Sequence, residues 1–179
     1  MPIPPKKAAK KAAKKTPGHH DPLKDARRTF EHLGRVQAIA NLAQAESEAL
    51  RFLMHSADIA LRAERYKDSA DLLRAAEHLC FATLNSSSTE QVSKELKATI
   101  AAEFEHLLHR AEDHAAHHEA PDAVVELRKR LTEDAKAALK RGSFRAALEY
   151  ARGAEALAHV DELDGLDLPA PTAQKRLRA

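Results

Sequence analysis

Apolar residues recur every three or four positions along most of this chain, the spacing of one face of an α-helix. Leu23, Ala26, Phe30, Leu33, Val36, Ala40 and Ala43 start the pattern, and Leu50, Leu53, Met54, Ala57 and Leu61 continue it. This predicts helix from about Leu23 into the 60s, with a break near Ala45–Ser47. A turn at Glu64–Lys67 leads to a helix over about Asp68–Leu84, and Asn85-Ser86-Ser87-Ser88 interrupts the pattern. Ser88 and Gln91 have capping-box spacing, so the next helix is expected from about Thr89 to His118. Pro121 ends it, because the residue before proline avoids the α region. A helix over about Asp122–Arg141 follows, with Gly142 placed for a left-handed cap. The last helix covers about Phe144–Glu162. No alternating strand-like run is present, so the expected fold is all-α: a bundle of four or five helices over residues 23–163.

The second half repeats much of the first. Phe30-Glu31-His32-Leu33 returns as Phe104-Glu105-His106-Leu107, and Ala57–Leu79 returns 78 positions later as Ala135–Leu157. In that block Ala57, Ala60, Leu61, Arg74, Ala76, Glu77 and Leu79 meet the same residue types, and Tyr66 meets Phe144. Two related helical-hairpin units follow, at about 23–84 and 89–163, packed face to face. Small residues face each other ahead of an aromatic at the turn, in Ala60-Leu61…Tyr66 and in Ala138-Leu139…Phe144. This resembles a tetratricopeptide-type helix pair, and the resemblance implies a scaffold for protein partners. The spacing of 74 to 78 residues departs from that family's shorter repeat.

Composition refines this picture. The 179 residues include no Trp and only five Gly, so the core is built of Ala and Leu, which favour helix and let helices approach closely. Cys80 is the single cysteine, on an apolar face, where it is expected as a buried structural thiol. No apolar run reaches the roughly 20 residues of a membrane span, and no apolar segment follows the basic start, so a cytoplasmic location is expected.

Charge is divided unevenly. Residues 1–18 carry six Lys and no acid, and Lys175, Arg176 and Arg178 stand in an acid-free end. All 27 acidic residues lie between Asp21 and Asp167, against 20 basic ones, so the body has a net charge of −7. Residues 1–22 are therefore expected as a disordered arm and 164–179 as a flexible basic tail. In the arm, Lys6, Lys7, Lys10, Lys11, Lys14 and Lys15 come in pairs every four residues with alanines between. The segment resembles the Lys/Ala-rich tails of linker histones, which implies sequence-independent nucleic-acid binding by counterion release.

Three constellations offer chemistry. On the histidine helix, Glu105, His109, Asp113 and His117 form one i,i+4 row, and His106, Arg110, His114 and His118 form the next. One-turn spacing of imidazole and carboxylate suits a metal ion, and Glu103-x-x-His106 matches the spacing used in di-iron bundles. Yet the Glu105 row points away from the stripe Ile100, Phe104, Leu107, Leu108 and Ala111, so a solvated face is the favoured reading. Arg152 and His159 lie two turns apart on one flank of the last helix. Their spacing resembles the motif of HEPN-family ribonucleases, which implies metal-independent RNA cleavage at a dimer interface, although Gly153 replaces the polar residue common there. Finally, Arg74/Glu77 and Arg152/Glu155 recur at i,i+3, either as a partner-binding surface or as ion pairs that fix helix register.

No Gly-rich phosphate loop, Ser-His-Asp set or CxxC is present, and the sequence calls for no cofactor. The expected role is a non-enzymatic helical scaffold or adaptor, with a protein partner or a second copy and a polyanion on its arm. A HEPN-like ribonuclease and a His-rich metal-binding protein are the alternatives.

Overall fold

The computed structural model describes residues 22–43, 47–161 and 163. These form α1 (Pro22–Ala43), α2 (Glu48–Arg62), α3 (Tyr66–Asn85), α4 (Lys94–Ala115), α5 (Asp122–Arg141) and α6 (Phe144–Ala158). There is no strand among the described residues, in keeping with the all-α expectation. The expected four or five helices become six among the described residues, because the first stretch forms two separate helices on either side of the expected break. Ser47 starts the second: its backbone is extended and its hydroxyl accepts from the Leu50 N–H at 3.1 Å, satisfying one of the free donors of a helix start.

Other boundaries also move. The capping box at Ser88 and Gln91 does not form; the Ser88 hydroxyl donates to the Asn85 carbonyl instead. Helix α4 begins five residues later than expected, at Lys94, where Ser93 accepts from the Leu96 N–H. The last helix stops at Ala158 rather than Glu162. Gly142 caps α5 as expected, with φ 81°.

The turns of the α2–α3 and α5–α6 hairpins match bond for bond. The Arg65 N–H donates to the Ala60 carbonyl at 2.8 Å, and the Ser143 N–H to the Ala138 carbonyl at 3.0 Å. The Glu64 N–H meets the Leu61 carbonyl, and the Gly142 N–H the Leu139 carbonyl, both at 3.0 Å. Glu64, with φ 60°, holds the left-handed conformation that Gly142 holds in the second hairpin. Tyr66 and Phe144 are the first residues of their helices, and both are half-buried.

Helix α3 packs against α1, α2 and α6, and α6 packs against α3, α4 and α5. The two central helices run antiparallel: Lys67 reaches Asp161 at one end, and His78 reaches Glu149 at the other. They cross where a Cβ on Gly153 would stand 3.3 Å from Leu131 Cδ1, 3.6 Å from His78 Cβ and 3.7 Å from the Ala75 carbonyl. Ala75 and Gly153 are themselves 78 positions apart, so matching residues meet at the crossing. Small residues at this point let two backbones approach and bury the seam of Ala76, Leu79, Ala154 and Leu157.

The tetrapeptide repeat does not survive in the structure. Phe104 is buried at 2 % exposure, whereas Phe30 is 63 % exposed. The helices are in register one residue further on. Arg35 of α1 approaches Glu77 of α3 at 3.7 Å, and Arg110 of α4 pairs with Glu155 of α6. On that register Thr29, fully buried, takes the place of Phe104.

Candidate functional site

The polar edge of α6 gathers the most ionisable groups. Glu155 lies on the inner side of α6 with only 2 % exposure. Arg110 Nη2, from α4, stands against its Oε1 as an ion pair, and His159 Nε2 is 3.9 Å from the same oxygen. That oxygen has no partner in hydrogen-bond geometry. His159 is the main group holding the Glu155 carboxyl below the ordinary glutamate value; burial opposes this, and Arg110 and Arg74 add to it. One turn further along α4, the His114 ring lies 4.0 Å from that of His159, centroid to centroid. Burial, followed by His159 and Arg110, pushes the His114 imidazole below the usual histidine value.

Beyond the end of α6, Asp161 closes the junction. His118 Nδ1 pairs with its carboxylate, and Lys67 Nζ approaches the same carboxylate at 3.0 Å while also donating to the His159 carbonyl. The Asp161 N–H donates to the buried Asp68 at 2.9 Å, and Asp68 in turn holds Arg65. Burial alone would raise the Asp161 carboxyl, but Lys67 and His118 more than offset it. The result is a charged clasp joining the α2–α3 hairpin to the ends of α4 and α6.

Arg152 is engaged elsewhere. It donates to Glu103 of α4 and to Glu149, each at 2.7 Å. Glu149 also meets His78 Nδ1 at 2.7 Å; burial would raise its carboxyl, and His78 and Arg152 pull it below the ordinary value. Thus Arg152 and His159 face different carboxylates. The imidazole nearest His159 is so close that a scissile phosphate has no room between the rings. Gly153, where a ribonuclease motif would carry a polar residue, serves the α3–α6 crossing.

The paired Arg/Glu positions turn toward neighbouring helices. Glu77 is 12 % exposed and meets His32 Nδ1 at 2.8 Å, as Glu155 meets Arg110. Arg74 lies close enough to Asp71 and Glu155 to act on both carboxyls: it adds to the lowering of Glu155, and it only partly opposes the burial that raises Asp71. The Glu105 row stays on open surface. His109 and Asp113 are 71 % and 64 % exposed and 3.4 Å apart, and His117 bonds the Asp113 carbonyl. No group of three or more His, Cys, Asp or Glu among the described residues is arranged to hold a metal ion. Cys80 is fully buried, and its thiol is pushed up to about 11 by burial and by Glu77.

The arm lysines Lys6, Lys7, Lys10, Lys11, Lys14 and Lys15, and the C-terminal Lys175, Arg176 and Arg178, lie outside the described residues. A cleft of about 640 Å³ separates α4 from α5, with Phe104, Leu108 and Leu139 at its base, Glu105, His109 and Glu112 on one wall and Lys136 and Lys140 on the other.

The row that matters is the second one, Arg110, His114 and His118. Its signal in the sequence is angular: each residue follows the Glu105 row by one position, which rotates it about 100° toward α6. Lys67 and Asp161 had no such signal, because their pairing depends on how two hairpins dock. No helix among the described residues is long and apolar enough to cross a membrane. Searches of family models, curated proteins and solved structures found no match to this chain.

Proposed function

We propose that the chain is a non-enzymatic helical scaffold or adaptor, built of two related three-helix units, acting in the cytoplasm and self-associating. Its lysine-rich arm tethers it to nucleic acid or another polyanion. The use of charge in the bundle carries the scaffold reading. Arg110 and Glu155 pair between helices, as do Arg152 and Glu103, and His159 lies against His114 of α4, which suits a rigid support better than a site that must release and bind substrate. The matching hairpin turns and the Ala75/Gly153 crossing support related units, close to the hairpin pairing of tetratricopeptide-like scaffolds. The tether rests on sequence: an arm with six Lys and no acid ahead of a body of net charge −7. An acidic body is repelled by phosphate, so polyanion contact is confined to the tails.

The test is retention of the full chain on immobilised DNA and RNA, with and without residues 1–18. Retention at low salt that collapses as salt rises, and disappears with the arm, is the expected result. Equal retention of both proteins removes the tether. RNA cleavage by the full chain that is lost in Arg152→Ala and His159→Ala would replace the scaffold reading with the nuclease one.

A further inference from the structure

Helix α1 carries an apolar line that the bundle does not use. Its inner side, with Asp25, Thr29 and Val36, is buried, and the helix packs against α3. At 100° per residue those three directions lie within about 40° of one another. Leu23 and Phe30 are two turns apart along the helix and about 20° apart around it, and they point about 120–140° away from the buried direction. They are 82 % and 63 % exposed. Gly34 continues the same line, and a Cβ there would meet nothing within 4 Å, so among the described residues this line faces open space. The Phe-Glu-His-Leu string that buries Phe104 in the second half thus leaves its first aromatic outside.

The charges beside this line select its partner. Arg27 is about 40° from Leu23, and Lys24, Arg35 and Arg28 follow on that side at about 100–140°. All four are exposed, and Glu31, paired with Arg27, is the only exposed acid of the helix. Arg28 and Arg35 also approach Asp25 and Glu77, at 3.9 and 3.7 Å, yet their side chains stay more than half exposed. The chain before α1 adds six Lys and no acid up to residue 18, and it joins the helix beside Leu23. A second copy offers this flank no acid. Reversed, it presents the same four cations; in parallel, it presents the uncharged side with Ala26, Leu33 and Gln37. A nucleic-acid duplex would take the cations but set two hydrocarbon side chains against phosphate. An anionic lipid surface takes both: acidic headgroups meet the cations, and Leu23 and Phe30 enter the boundary between headgroups and acyl chains. Stable anchoring there takes two signals, and an apolar anchor with a basic patch is such a pair.

We propose that the outer face of α1 is a docking surface for an anionic membrane: Leu23 and Phe30 sink to headgroup level, Arg27 lies beside them, and Lys24, Arg28 and Arg35 hold acidic headgroups on one flank. The arm lysines reinforce the contact, and for their part the inference rests on the polyanion tether proposed above.

The chain contains no Trp, so Phe30→Trp in the full chain places a single emission reporter on this face. Vesicles of equal parts phosphatidylcholine and phosphatidylserine should shift its emission to the blue, whereas phosphatidylcholine vesicles and duplex DNA should not. In vesicle sedimentation of the full chain, Phe30→Asp should weaken binding by roughly tenfold or more. Lys24→Glu/Arg27→Glu should weaken it by a roughly similar factor. Both changes fall on exposed side chains, so the helical circular dichroism and the arm-dependent retention on DNA should persist. No binding to the mixed vesicles, binding indifferent to Phe30→Asp, or an equal blue shift with single-stranded DNA overturns the proposal. Retention on DNA without vesicle binding would remove the membrane surface and leave the tether intact. Vesicle binding that survives deletion of residues 1–18 would support the α1 surface and remove the arm's share in it.

Discussion

The two halves of the bundle have matching turns and matching helix contacts, yet they fill their interiors differently. In α4–α6 the space is taken by Phe104, Leu107, Leu108, Ala146 and Ala147. In α1–α3 the places of Phe104, Leu107, Ala146 and Ala147 hold Thr29, His32, Asp68 and Ser69, while Leu108 keeps an apolar counterpart in Leu33. Thr29 stands where Phe104 does, and its hydroxyl meets the carbonyls of Asp25 and Tyr66, both at 3.0 Å. His32 stands where Leu107 does and bonds Glu77. Ser69, fully buried, donates to the Ala57 carbonyl at 2.8 Å, whereas its counterpart Ala147 has only a methyl group. The arrangement of helices is therefore set by the turns and by small residues at the crossing. The filling is interchangeable provided each buried polar atom finds a partner.

The sharpest way to break this comparison is to empty one place on each side. Phe104→Ala should cost about 3–5 kcal/mol, because a large ring leaves a cavity over rigid alanines. Thr29→Val removes a single donor shared between two carbonyls but keeps the volume, and should cost about 1 kcal/mol. Urea unfolding of both variants gives the two values; equal losses would mean the halves are not filled in the way described.

The paired glutamates come next. Glu155 is more deeply buried than Glu77, at 2 % against 12 % exposure of the side chain. Glu155→Gln leaves Arg110 and His159 without their anion and should cost about 3 kcal/mol. Glu77→Gln, with Arg35 half in water, should cost about 1 kcal/mol. The order of the two midpoints in urea is the measurement; a larger loss at Glu77 would show that burial does not rank these pairs.

Much of this was legible in the sequence, for physical reasons. Helical spacing gave the elements, and the 78-residue match placed both hairpins, because turn geometry is local. The first-helix repeat misled: an identical Phe-Glu-His-Leu string sits one residue out of register, since burial depends on which face meets α3 and not on a shared tetrapeptide. Ser88 and Gln91 had capping chemistry, but Ser93 caps α4, while Glu90 bonds the Gly142 carbonyl and the Arg145 N–H to hold the connection against the second hairpin. The clasp of Lys67, Asp161 and His118 joins residues more than 40 positions apart and had no local trace.

The turns offer a smaller and reciprocal test. A side chain in the left-handed region costs about 1–2 kcal/mol, and glycine returns part of that through the entropy of the unfolded chain. Glu64→Gly should therefore stabilise the protein by about 0.5–1 kcal/mol. Gly142→Ala should destabilise it by a similar amount, because no atom lies within 4 Å of the added Cβ and the backbone conformation alone is at issue. Opposite shifts in melting temperature would confirm that one turn is built from two different residues.

The smallest expected effect concerns pH and is confined to the second half. The His114 imidazole is held below its ordinary value of 6.5, by burial first and by the adjacent His159 next. A base whose folded value is depressed resists protonation in the native state. Its contribution is thus complete above pH 6.5 and is lost as pH falls below that value toward the lower folded one. Glu149, Glu155 and Asp161, all held low, lose their contributions only at more acid pH, below their unfolded values. Asp71, raised chiefly by burial, works in the opposite direction there, so the histidine step is best read above pH 5, before the carboxylates titrate appreciably. The melting temperature should decline modestly between pH 7 and 5, and His114→Gln should flatten that decline while leaving the acid limb in place. An unchanged slope in the variant would show that the His114–His159 contact carries no charge penalty.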